Sequence, residues 1–266
     1  MSSFSAKLWH RRRRATRVTA MVAGAVAAVS LAVTAAWTSQ PHGHRYESEA
    51  DGEVLLGADG RTLTIGARWD DCETQPRLVA QESAQGVTLS LHREDDSRPD
   101  TVCGNSGARQ LTVTLSAPLG SRRLTDAVGH DAIASFDERR LATPRYLPAG
   151  FTPTDLIPFS NPQGDAIPRP YAKPPTPTWE RFYQREPHHG YLSITQITGK
   201  SADATGTPVD VHGHRGRLRE GPQADNVSFR SLTWFDGTYT FNVLSDDAQH
   251  VLSADELMKV ANGIAA

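Results

Sequence analysis

Apolar residues along this chain follow three spacings, and each predicts a different element. Strict alternation marks half-buried strands. In "EVLLGADGRTLTIGA" (residues 53–67), Asp59-Gly60 lies at the centre, a dipeptide that favours a two-residue type I′ turn. That register sets Leu56 opposite Leu63 and Val54 opposite Ile65, so the large apolar side chains share one face. "GVTLSLH" (86–92) alternates Val87, Leu89 and Leu91, and "QLTVTLSAPLG" (110–120) alternates Leu111, Val113 and Leu115. Two more strands follow, with the polar run "HREDDSRPDTVCGNSG" (92–107) as the loop between them. Further on, "GYLSITQIT" (190–198) reads as a strand and "TPVDVHGHRGRLRE" (207–220) as a strand pair around a glycine turn. "SLTWFDGTYTFNVLS" (231–245) is a hairpin; with Asp236-Gly237 as its turn, Trp234 faces Tyr239, Leu232 faces Phe241 and Thr233 faces Thr240, while Phe229 meets Leu244 on the reverse side.

The second spacing is helical. In "LSADELMKVANGIAA" (252–266), Leu257, Val260, Ala261 and Ile264 form one apolar stripe. Ser253 as N-cap with Glu256 three residues on is a capping box, and Leu252 and Leu257 stand where a hydrophobic staple would. Such a helix needs a sheet beneath it, and the preceding hairpin offers Trp234, Tyr239 and Phe241.

The third is uninterrupted. "VTAMVAGAVAAVSLAVTAAW", residues 18–37, bounded by Val18 and Trp37, contains no charge. Twenty helical residues span roughly 30 Å, the hydrocarbon thickness of a bilayer. Arg11, Arg12, Arg13 and Arg14 on the N-terminal flank orient that end to the cytoplasm, and Trp37 suits the far interface. A cleaved signal peptide is the competing reading, because Val33-Thr34-Ala35 offers small residues near the end of the run.

Proline divides what remains. Ten of the 17 prolines fall between residues 144 and 177, where missing N–H donors and fixed φ forbid regular helix or central strand. The expected organisation is a basic tail (1–17), a transmembrane helix (18–37), a linker (38–52), a β domain (53–136), a Pro-rich connection (137–180) and an α+β domain (181–266). The fold class is a single transmembrane helix plus an extracytoplasmic, β-rich α+β body, with antiparallel sheets and a C-terminal helix packed on a hairpin.

Charge sharpens this division. The net charge of −2 hides a basic N-terminus: residues 1–40 hold six Lys and Arg and no acid, leaving 28 − 6 = 22 basic against 30 acidic side chains beyond them. An acidic extracellular body argues against nucleic acid as a partner. Its two cysteines, Cys72 and Cys103, are expected to form a disulfide in an oxidising compartment.

Candidate chemistry is thin. His188, His189, His212 and His214 are the clustered histidines; His212 and His214 would share a face and hold zinc only if a strand ran through Gly213. Gly104-Asn105-Ser106-Gly107 is not a nucleophile elbow, and phosphate-loop and H-E-x-x-H patterns are missing. No catalytic residue, cofactor or metal is therefore assigned. Arg215, Arg217 and Arg219 alternate on one strand and are the best contact surface, suited to phosphate or an anionic cell-wall polymer.

Val211, Gly213 and Gly216, then Leu232, Trp234 and Tyr239 around Asp236-Gly237, then Leu252, Ser253, Glu256 and Leu257 give the chain a resemblance, with the upstream "YLPAGF" (146–151). Residues 146–266 resemble the extracytoplasmic domain of anti-sigma-factor-like and lipoprotein-carrier-like membrane proteins of Gram-positive bacteria. "DDCETQPRLVAQESAQGVTLSL" (70–91) resembles a segment of uncharacterised secreted or membrane proteins of high-GC Gram-positive bacteria. The resemblance implies an extracytoplasmic sensor or regulator and brings no catalytic residues. Direct sigma-factor binding is not expected, since only 17 residues, without cysteine, precede the predicted crossing. The expected protein is a non-enzymatic, single-pass binding or sensor protein of the cell envelope. Its expected partner is an envelope protein, a cell-wall polymer or a lipid-like ligand. The alternative is an envelope hydrolase or metal-binding protein using His188, His189, His212 and His214.

Overall fold

The computed structural model describes residues 43–50, 52–97, 100–157, 176–185, 190–201, 205–222, 228–247 and 251–264. Residues Arg45–Ala266 make one compact unit. Its first half carries β1 (His44–Glu49), β2 (Val54–Leu56), β3 (Thr62–Asp70), β4 (Arg77–Glu82), β5 (Gly86–Asp95), β6 (Asn105–Thr114), β7 (Arg123–Asp126) and β8 (Ser135–Asp137). The second half carries β9 (Phe151–Thr154), β10 (Thr178–Arg185), β11 (Gly190–Thr198), β12 (Thr207–Val211), β13 (His214–Pro222), β14 (Ser228–Phe235), β15 (Tyr239–Asp247) and the helix α1 (Ala254–Gly263). The body is thus β-rich with one C-terminal helix. Among the described residues no helix is long and apolar enough to cross a membrane; residues 18–37, with Val18 and Trp37, lie outside them.

Two four-stranded sheets, ordered β6-β3-β2-β8 and β1-β5-β4 with β7 beside β5, pool one hydrophobic cluster. Val54, Leu63, Ile65, Val87 and Leu89, all fully buried, are its centre. The expected first register holds: Val54 pairs with Ile65 and Leu56 with Leu63. Asp59 fixes the turn by accepting the N–H groups of Arg61 (2.8 Å) and Thr62 (2.9 Å) and the Thr62 hydroxyl (2.8 Å). β2–β3, β3–β6 and β4–β5 pair antiparallel, while β2–β8 and β5–β7 pair in parallel.

The run expected as one loop, 92–107, is shorter than its polarity suggests. β5 continues to Asp95 and β6 starts at Asn105. Gly107 permits this, because a Cβ there would lie 2.1 Å from the indole of Trp69, its ladder partner on β3. Beyond the ladder's last pair, Asp70 with Asn105, Cys72 and Cys103 are joined as a disulfide, Cα atoms 5.6 Å apart. The segment 38–52, expected as linker, carries β1.

The second half is a seven-stranded sheet ordered β12-β13-β14-β15-β11-β10-β9. Within the Pro-rich stretch β9 does form, but as the sheet edge, where Pro153 opposite Tyr183 removes a donor the sheet does not need there. The other edge, β12, carries Pro208. One face of the sheet packs α1: Leu192, Ile194, Leu232, Trp234, Phe241 and Val243 join Leu257, Val260, Ala261 and Ile264 in a second cluster, with Tyr239 against it.

The β14–β15 register differs from expectation by two residues. Trp234 pairs with Phe241, Leu232 with Val243 and Thr233 with Asn242, so Gly237 and Thr238 are the turn's central residues. The cause is Asp236, whose Oδ1 accepts both the Thr238 and Tyr239 N–H groups at 2.7 Å, placing Gly237 (φ 105°) first in the turn. A slip of two keeps every side chain on its expected face. Trp234 now stacks on Phe241, centroids 5.0 Å apart.

The helix cap is half of what the sequence suggests. Ser253 Oγ accepts the Glu256 N–H at 3.2 Å, and Leu252 and Leu257 are both buried. The Glu256 carboxylate does not complete a box; it takes the Tyr146 hydroxyl and Lys259 Nζ instead.

Candidate functional site

The strand pair β12–β13 turns through His212 and Gly213, both with positive φ (53° and 79°), while Asp210 Oδ1 accepts the Gly213 N–H at 2.9 Å. Two positive φ values define a type I′ turn, so the strand through Gly213 that joint zinc ligation needs does not exist. His212 Nε2 instead lies 2.7 Å from the Asn262 carbonyl in the last turn of α1. His214 opens β13, and His188 and His189 lie outside the described residues.

From that turn β13 runs with strict alternation. Leu218 packs toward the α1 side. Arg215, Arg217 and Arg219 project to the opposite face of the sheet, because successive strand residues point to opposite sides. Arg215 is exposed, and Arg217 and Arg219 are half-buried. Gly216 lets the strand pass close beneath β12, since a Cβ would stand 3.2 Å from both Val209 and Val211 methyls. The Arg219 guanidinium sits 5.3 Å over the Phe229 ring, a cation–π contact that holds its stem. Arg217 Nη1 donates to the Gly206 carbonyl at 3.3 Å. Asp210, opposite Arg215 in the register, is committed to the turn. Neither Arg215 nor Arg217 has an ion-pair partner among the described residues.

Ladder registers extend this face across the sheet. Arg217 is opposite Thr233, Thr233 opposite Asn242, Asn242 opposite Thr195, and Thr195 opposite Glu180, one row spanning β13 to β10. Thr233, Asn242, Thr195 and Glu180 are all buried. Thr233 Oγ1 donates to Asn242 Oδ1 at 3.1 Å, whereas Asn242 Nδ2 and Thr195 Oγ1 find no hydrogen-bond partner among the described residues. Buried polar atoms are nearly always paired, so this row is where the fold carries a polar cost. The row holds no histidine or cysteine; its one carboxylate is Glu180, opposite Thr195 in the register. What it offers is hydrogen bonding and, at its β13 end, positive charge.

One other group is compact enough to consider. Asp70, Asp71, Cys72 and Cys103 bring four possible metal-ligand atoms within 4.8 Å of one another. Both sulfurs are spent in the disulfide, Asp70 Oδ1 takes the Cys72 N–H (3.0 Å) and Asp71 Oδ1 the Gly104 N–H (2.7 Å). These carboxylates brace the cross-link.

The arginines were visible in the sequence as alternation on one strand. Thr233, Asn242, Thr195 and Glu180 were not, since they come from four strands and meet only through register. Two of them do interrupt large apolar neighbours, Thr233 between Leu232 and Trp234 and Asn242 between Phe241 and Val243, which is the trace a polar sheet face leaves in sequence. Compared with family models, with curated proteins and with solved structures, the chain finds no match in any of the three.

Proposed function

We propose that this chain is a non-enzymatic, single-pass protein of the cell envelope whose extracytoplasmic body binds an anionic envelope component through the β13 arginine face. The observation that carries this reading is the row Arg215, Arg217 and Arg219, set on one face with two guanidinia outside any described ion pair. Two such guanidinia on one strand of a body with 22 basic and 30 acidic side chains are a local feature that net charge does not explain. The charge-free run 18–37 behind four consecutive arginines supports membrane anchorage with the N-terminus cytoplasmic. The Cys72–Cys103 disulfide supports an oxidising location for the body. The resemblance to anti-sigma-factor-like and lipoprotein-carrier-like membrane proteins points to a sensor or regulator of the same compartment.

Two measurements test it. Protease added to intact cells should digest the body and leave a small membrane-bound N-terminal fragment; full protection of the body would overturn the topology. The tagged full chain should retain an envelope component that a chain carrying Arg215→Gln, Arg217→Gln and Arg219→Gln loses. Equal retention by both would remove the arginine face from the proposal.

A further inference from the structure

The end of the β3–β6 ladder gathers four metal-ligand atoms whose availability turns on one bond. We propose that, when the Cys72–Cys103 disulfide is reduced, both sulfurs join the carboxylates of Asp70 and Asp71 as a tetrahedral zinc site. Zinc then closes the loop that the disulfide closes in the oxidised chain. The site goes beyond the envelope-binding reading and does not involve the arginine face.

Reduction takes a dithiol. Its thiolate attacks one sulfur and displaces the other through a mixed disulfide; two electrons and two protons pass to Cys72 and Cys103, and the reductant leaves as its own disulfide. Zn2+ then takes both sulfurs as thiolates and releases two protons, with no change of oxidation state.

Distance comes first. One ligand atom from each of Asp70, Asp71, Cys72 and Cys103 lies within 4.8 Å of the others, and Cys72 Sγ stands 3.9 Å from Asp71 Oδ1. Zn–S bonds of about 2.3 Å and Zn–O bonds of about 2.0 Å set tetrahedral ligands roughly 3.3 to 3.8 Å apart, so the group need contract by only about 1 Å.

The two segments also hold together without the sulfur bond. The Asp71 N–H donates to the Gly104 carbonyl at 3.0 Å, and the Gly104 N–H returns to Asp71 Oδ1 at 2.7 Å. The Asp96 N–H donates to the Cys72 carbonyl at 3.0 Å, and Asp70 Oδ1 takes the Cys72 N–H. These bonds orient both carboxylates through one oxygen and leave Oδ2 of each without a hydrogen bond among the described residues. Neither carboxylate has a Lys, Arg or His partner among them, so the pair keeps its charge for a cation. Asp71 is exposed and the other three are half-buried, which gives an ion a way in. Two thiolates select zinc over calcium and magnesium, which want a shell of oxygens, and two carboxylates disfavour Cu(I), which prefers sulfur.

The full chain, reduced with a water-soluble phosphine and desalted without oxygen, is titrated with Zn2+ by calorimetry beside the oxidised chain. The reduced chain should take one Zn2+ at least about a hundredfold more tightly than the oxidised chain does, releasing about two protons. Co2+ in place of Zn2+ should give thiolate-to-cobalt charge-transfer absorption in the reduced chain alone. Asp70→Asn with Asp71→Asn keeps an oxygen for each backbone N–H and should weaken Zn2+ at least about tenfold, the scale on which even outer-shell partners act. Zn2+ should also raise the urea midpoint of the reduced chain, and a chelator should reverse the rise. Circular dichroism of each form verifies folding.

Equal Zn2+ affinity of the oxidised and reduced chains would overturn the proposal, placing the ion on groups elsewhere such as the histidines. A cobalt complex without thiolate absorption would do the same. Undiminished affinity in the aspartate variant would remove Asp70 and Asp71 from the site, and an unchanged urea midpoint would show that zinc does not close the loop.

Discussion

Single carboxylates close several of the turns, and their protonation is measurable. Glu82 accepts the Ser116 N–H at 2.6 Å and the Arg122 guanidinium at 2.8 Å, joining β4 to the turn after β6. Those bonds, the Ser116 N–H foremost, lower its pKa from 4.5 to about 2. Asp59 is likewise lowered to about 2, first by the Thr62 N–H. A carboxyl depressed in the folded state binds fewer protons there than in the unfolded chain. Its stabilisation is therefore full above the unfolded pKa and is lost as pH falls from about 4.5 toward about 2. Glu82→Gln should flatten that part of the stability–pH curve in urea titrations and leave the curve above pH 5 parallel to wild type. A variant as steep as wild type between those limits would remove Glu82 from the acid response.

At the scale of elements, α1 owes its place to the hairpin beneath it. Leu257 is fully buried at the centre of that contact, with Val260 and Ala261 beside it. Leu257→Ala leaves a cavity that surrounding side chains only partly fill, which costs about 2 to 5 kcal/mol. The urea midpoint should drop accordingly with an unchanged slope; a loss below about 1 kcal/mol would mean that the helix is not anchored there. Both the helix and its face were legible in the sequence, as was the register of the Asp59-Gly60 hairpin; its expected two-residue type I′ turn does not form, since Gly60 has positive φ (68°) but Asp59 does not, and the Asp59 side chain closes a wider loop by accepting the Arg61 and Thr62 N–H groups. Where two turn formers compete, legibility fell: the Asp236 side chain bonds forward and moves the turn one residue on. β1, "HRYESE", shows no apolar pattern; its side chains meet β5 and its surroundings through Arg45 with Glu94, Tyr46 with Glu73, and Ser48 with Arg93. β10, "TWERFYQR", is buried on both faces, so the alternation of a one-sided strand is lost. The arginine row needed one strand to be seen, whereas the polar row crossing it needed four registers.

For the molecule as a whole, the disulfide is the main covalent constraint. It closes a loop between residues 31 apart and lies beyond a ladder that already pairs. In the chain-entropy view, such a loop is worth roughly 3 to 4 kcal/mol, nearly all of it exerted on the unfolded chain. The double variant Cys72→Ser, Cys103→Ser should lose about that much in equilibrium unfolding and keep the native circular dichroism spectrum. Unchanged stability would mean that opening the loop gives the unfolded chain no added freedom.

The prolines at the two borders of the seven-stranded sheet, Pro153 and Pro208, have a consequence for how many copies can share a small space. Neither border presents a complete run of N–H donors, so one molecule's sheet is a poor template for continuing into the next. The anchor proposed above would concentrate the protein near a surface. These two residues let it crowd without stacking into fibres, and replacing both with Thr should hasten thioflavin-positive aggregation at high concentration.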